Sequence, residues 1–142
     1  MSGDRFTLGP FAINLISRKE TENMKSFREL RVWQAAMDLV ETVYLLTHEF
    51  PKYEIYALAT QLQRAAVSMT SNIAEGHTRE HLKDYLYHLL VAQASLAEVE
   101  TQLEISLRLK DLVPQQLEWA SKSISSLRRQ LYALRNALMR HS

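Results

Sequence analysis

The sequence predicts an all-α fold, an antiparallel up-down-up-down four-helix bundle, on three observations. Hydrophobic residues fill 46% of the 142 positions, enough for one sizeable core and too few for two ordinary domains. Only 3 Gly and 3 Pro punctuate the chain, fewer turn residues than a many-stranded sheet or barrel requires. Four segments place apolar residues at steps of three and four, and short connections let each helix hide its stripe against the next.

Residues 1–25 show no sustained periodicity and read as a poorly ordered extension, with the bundle occupying 26–142. The stretch LGPFAINLI does not read as an export signal, because Pro10 and Asn14 break it and no small-residue cleavage site follows. Met24 is a natural start for the domain, which would make the first 23 residues dispensable. No run approaches the ~18 to 20 apolar residues that span a bilayer. The absence of Cys removes disulfides and thiolate zinc sites, so the expected location is the cytoplasm.

The first helix is read from Phe27 to Phe50, with Leu30, Trp33, Met37, Val40, Tyr44 and Thr47 inward and Pro51 forcing its end. The second, from about Glu54, turns Leu58, Leu62, Ala65, Ala66, Met69 and Ile73 to the core, and Gly76 is expected in the left-handed conformation that closes helices. Thr78 is the expected N-cap of a third helix from Arg79 to about Lys110, ~48 Å long. Its heptad set is Leu82, Leu86, Leu89, Gln93, Leu96, Glu100, Leu103 and Leu107. Pro114 suits the first turn of the fourth helix, whose seam of Leu117, Ala120, Ile124, Leu127, Leu131, Leu134 and Leu138 has no miss.

Polar residues are ordered too. Gln61, Arg64, Ser68, Asn72 and Glu75 form a stripe on the second helix, and Asp84, His88, Ser95, Glu98 and Gln102 a matching one on the third. A solvated face explains such stripes, but so does pairing between helices or subunits, since an unsatisfied buried amide costs ~1 to 3 kcal/mol. Asn72 and Glu75 are expected in a cross-helix or cross-subunit contact.

These segments carry a resemblance. FRELRVWQAAMDLV, FPKYEIYALATQLQRAAVSMTSNIAEGHTRE and YLYHLLVAQASLAEVETQLEISLRL together resemble the four helix bundle protein family encoded in intervening sequences of bacterial large-subunit ribosomal RNA genes, over about residues 27 to 112. The resemblance implies an antiparallel bundle assembling as a homopentameric ring. The family is similar to the accessory variability proteins of diversity-generating retroelements, which bind nucleic acid and a reverse transcriptase. Ser71, Asn72, Glu75 and Gly76 fall on the family's polar signature, for which the resemblance implies a structural role. Gln93-Ala94-Ser95 departs from the pattern, which often has Gly before the Ser, and residues 1–23 lie outside it.

Catalytic chemistry finds little support. A bundle di-iron site uses Glu-x-x-His pairs, and the chain has none. His77 with His81, and Asp84 with His88, stand four apart but read as ordinary surface groups. There is no Gly-rich phosphate loop or nucleophile elbow, so no enzyme activity, cofactor or metal is expected. Charge says more. From Trp119 onward there are five cations, Lys122, Arg128, Arg129, Arg135 and Arg140, and no acid, whereas residues 84–107 hold four acids and no Lys or Arg. Lys122, Arg129 and Arg140 lie opposite the leucine seam, with Arg128 and Arg135 on its flank.

A solvated helix end favoured by the helix dipole accounts for such cations, and so does a phosphate-binding surface multiplied around a ring. Apolar residues off the main seams, including Val32, Leu39, Val43, Leu46, Leu90, Val91, Ile105 and Tyr132, argue for self-association. The expected function is a non-enzymatic oligomeric accessory protein that grips RNA or DNA phosphates. The alternative is a scaffold that docks another protein such as a reverse transcriptase.

Overall fold

The computed structural model describes residues 26–140. Among them are four long helices and no strand: α1 (Arg31–His48), α2 (Leu58–His77), α3 (Leu82–Arg108) and α4 (Pro114–Arg140). Each helix packs on the next, and α1 closes onto α4. The result is the all-α four-helix bundle expected from the sequence. The extension read at residues 1–25 lies outside the described residues.

A short 3-10 turn, Phe27–Glu29, leads into α1, and Phe27 stacks edge-on against Trp33 with ring centroids 5.2 Å apart. Pro51 ends α1 as expected, but the buried face of α1 is only in part the expected one. Leu30 and Thr47 are buried and Trp33 and Val40 pack against the core as expected, but Met37 and Tyr44 are exposed, and the centre of the buried face is Val32, Ala36, Leu39, Val43 and Leu46. The helix is turned by about one residue's step, ~100°, from the predicted seam. The physical reason is that α1 carries two overlapping apolar stripes. The one with Ala36 and compact aliphatic side chains makes the tighter helix contact, and the bulkier Trp33 and Tyr44 stay on its flank. Val32, Leu39, Val43 and Leu46 are therefore core residues and do not contribute to a surplus apolar surface. Leu90, Ile105 and Tyr132 are exposed.

In α2 all six expected inward residues are buried. The helix runs through Gly76 to His77, so Gly76 does not take a left-handed closing position. A Cβ on Gly76 would lie 2.9 Å from His88 Cβ and 3.0 Å from Tyr85 Cδ1, so the glycine lets α3 approach closely. The left-handed residue is Lys110 at φ 66°, past the end of α3. There Asp111 N–H donates to the Ser106 carbonyl and Lys110 N–H to that of Leu107, a Schellman closure. Thr78 is not the N-cap of α3. It terminates α2, its hydroxyl donating to the Glu75 carbonyl at 2.8 Å, and His81 occupies the cap position of α3.

The buried face of α3 is broader than its heptad. Leu89, Leu96 and Leu103 are buried as expected, but so are Tyr85, Ala92, Ser95, Val99 and Ser106, while Gln93 and Glu100 are only half-buried. This helix lies between α2 and α4, so its inward face is centred between two neighbours and takes small residues on the α2 side. The α4 seam is buried from Ala120 to Leu138, with Leu117 half-buried.

The chain connection at one end of the bundle buries an acid. Glu54, in the 3-10 turn Lys52–Glu54 between α1 and α2, is 8% exposed. Its carboxyl is held above the usual carboxylate range, chiefly because its acid form hydrogen-bonds Asp111, with burial and the Asp111 charge acting in the same direction. Both carboxylate oxygens of Asp111 are buried without a hydrogen-bond donor. The acid form of Glu54 is the group that can supply that donor, which would link the α1–α2 connection to the α3–α4 turn.

Candidate nucleic-acid interface

Two sets of residues singled out from sequence fall in different parts of the bundle. The first lies between α2 and α3. Asn72 donates from Nδ2 to the Ser68 carbonyl at 2.8 Å and to the Ser68 hydroxyl at 3.3 Å. This leaves Asn72 Oδ1 as an acceptor facing α3, and His88 Nδ1 lies 2.9 Å from it, which requires the proton on Nδ1. The Ser68 and Ser95 hydroxyls meet at 3.1 Å, so a line of polar contacts joins the two helices. Glu75 Oε2 is 4.0 Å from the same His88 nitrogen and largely exposed.

Next to this line, burial pushes the Tyr85 phenol up, so it is neutral, and its hydroxyl meets His77 Nδ1 at 3.3 Å. Ser71 is exposed and Gly76 is the contact point already described. Asn72, Glu75 and Gly76 therefore converge on one partner, His88, while Ser71 does not join them.

The second set is on α4. Its leucine seam fixes which way the helix faces, and Lys122, Arg128, Arg129 and Arg140 are exposed as a result. Arg135 is half-buried. Lys122 and Arg129 share a shallow surface depression of about 350 Å³ with Glu118, Ser121 and Ser125. The five cations are not equivalent. Arg128 forms an ion pair with Glu100 of α3, so it neutralises a neighbour on the same molecule. An exposed pair of this kind is worth ~1 kcal/mol or less, and a phosphate could compete for it. The structure thus joins Lys122 and Arg129 in one place and draws Arg128 away.

Sequence reasoning missed three features of this face. Glu118 sits one turn before Lys122 and belongs to the same depression, a relation visible from the i, i+4 spacing. Glu100 reaches Arg128 across 28 positions of sequence, which no local pattern reveals. Trp119 is 50% exposed and Tyr132 54%, so the cations are accompanied by aromatic rings. Among the described residues no group of three or more His, Cys, Asp or Glu could hold a metal ion, and no helix is long and apolar enough to cross a membrane.

The comparisons agree with this architecture. A solved structure from Bacteroides thetaiotaomicron VPI-5482, a protein with unknown function from the S23 ribosomal protein family, superposes with a TM-score of 0.66 at 20% identity. The match covers 72% of this chain and 96% of that one, a likeness of fold. No curated protein matches the chain. The family model described as 23S rRNA-intervening sequence protein matches residues 28–133, which takes in all of α1, α2 and α3 and most of α4. The chain belongs to the 23S rRNA-intervening sequence protein family.

Proposed function

We propose that this chain is a non-enzymatic, oligomeric accessory protein that associates with RNA or DNA in the cytoplasm through phosphate contacts. The observation that carries the reading is the outward ridge of α4, where Lys122 and Arg129 stand exposed on the side away from the leucine seam. Membership of a family tied to ribosomal RNA genes supports it. No base-reading module accompanies the cations, so binding is indifferent to sequence. Assembly as a homopentamer, which the family resemblance implies, would repeat the ridge around a ring. Exposed Tyr44, Leu45, Leu90 and Ile105 offer apolar surface for such contacts.

The test is fluorescence anisotropy with labelled RNA and DNA across a salt series. Affinity should fall steeply with salt. The double variant K122E/R129E should lose binding while keeping its helicity, because neither residue lies in the seam. Equal binding by the variant, or no binding by the natural chain at low salt, would leave the exposed apolar surface as the stronger clue. That outcome favours a scaffold that docks another protein, such as a reverse transcriptase. Light scattering at micromolar concentration tests assembly, and a monomer mass would remove the ring.

A further inference from the structure

We infer that the outer face of α4 is a stacking platform for single-stranded nucleic acid, with Trp119 and Tyr132 receiving bases on either side of the phosphate contacts made by Lys122 and Arg129. The inference rests on the phosphate-binding reading above and names its substrate. Trp119 and Tyr132 are each about half exposed, so part of each ring is open to a ligand. Neither can turn inward, because the leucine seam fixes the rotation of α4.

Helix geometry sets their relation to the cations. At ~100° per residue, Trp119 lies about 60° to one side of Lys122. Arg129 lies about 20° to the other side and Tyr132 about 80°. Each is also further along the axis than the last. The four side chains therefore form a diagonal across the helix, aromatic, cation, cation, aromatic, that rises about 20 Å along the axis at ~1.5 Å per residue and turns through about 140°. The depression that holds both cations opens on the Tyr132 side of Lys122, where Ser121 and Ser125 add two hydroxyl donors. Glu118 lines the same depression near Lys122, so its negative charge favours phosphate placement toward Arg129.

This order of groups suits a strand whose bases are free. An aromatic face can stack only on an unstacked base, and a duplex has already used both faces of its bases. Lysine and arginine between the two rings match the phosphates that link stacked bases, so the charge favours a polyanion over an apolar protein surface.

The chain has 2 Trp, so replacing Trp33 by Phe leaves Trp119 as the sole indole. Oligo(U) and oligo(dT) should quench the emission of that W33F variant in a saturable way, and a duplex of equal length should not. In the natural background W119A should weaken single-strand binding roughly tenfold or more, from the value of one stacked base. W119F should retain most of it, and duplex binding should change less than twofold. Should W33F fail to fold, the difference in quenching between the natural chain and W119A gives the same reading.

If W119A binds single strands within twofold of the natural chain, stacking is wrong; loss of binding in K122E/R129E would then still uphold phosphate contact. If nothing binds, the parent reading fails with it. A fall in particle mass for W119A with unchanged binding would assign this face to contact between copies and overturn the inference.

Discussion

Replacing Gly76 by Ala should destabilise the bundle, against the usual gain from removing a glycine from a helix. The new Cβ would stand 2.9 Å from His88 Cβ, 3.0 Å from Tyr85 Cδ1 and 3.3 Å from the Tyr85 carbonyl oxygen. Ordinary contact between carbons is ~3.5 to 4.0 Å, so α2 and α3 must separate locally by about 0.6 Å. The atoms in the way are a Cβ and a carbonyl oxygen, which cannot rotate aside, and Tyr85 is buried. Overpacking of this kind costs ~1 to 3 kcal/mol. Helix propensity returns at most ~1 kcal/mol, and less at the penultimate residue of α2. The net loss should be about 1 kcal/mol, a fall in Tm of ~4 °C for a domain of this size. Thermal and urea unfolding followed by circular dichroism would measure it, with an unchanged urea m-value as the sign that the denatured state is unaltered. A midpoint equal to or above that of the natural chain would refute the reasoning, since it would mean that the helix pair yields without cost.

Two further outcomes bear on the core and the buried acids. Leu39→Ala should cost ~2 to 5 kcal/mol because Leu39 is fully buried, whereas Met37→Ala should cost below ~1 kcal/mol; urea midpoints in the reverse order would return α1 to the other face. Glu54 holds its proton more tightly folded than unfolded, so its contribution to stability is complete below its unfolded value near 4.5 and is lost as pH rises through the higher folded value. Glu54→Gln keeps a donor toward Asp111 without the proton, so it should gain stability at pH 7 and remove this part of the decline; parallel pH profiles for the two proteins would count against a shared proton.

The fold was legible wherever one helix face was unambiguous. The α4 seam and the inward face of α2 each offer a single apolar phase. In α1 two stripes compete, and spacing cannot choose between Leu39 and Val40. The α2 side of α3 was hidden for the opposite reason, because Ala92, Ser95 and Ser106 carry little hydrophobic signal and are buried for their small size. Gly76 was misread because glycine near a helix end commonly means a left-handed residue. Here its missing side chain makes room for α3, and Lys110 takes the positive φ. On the candidate interface, the cations and their outward direction followed from the helical wheel. The pairing of Arg128 with Glu100 depends on how α3 and α4 lie together, which belongs to the assembled bundle and to no single segment.

The line of Ser68 and Asn72 against Ser95 and His88 of α3 also bears on how the bundle finds its alignment. Leucine seams are forgiving: a helix such as α4 can slide by a heptad and meet another leucine. A hydrogen bond cannot move ~10 Å along the axis, the length of seven residues, and still find its partner. Ser68–Ser95, Asn72–His88 and the notch at Gly76 give the α2–α3 hairpin a single register, joined by only a short turn. The hairpin can thus act as a ruler for the other two helices, fixing where along the bundle the outer ridge of α4 comes to rest.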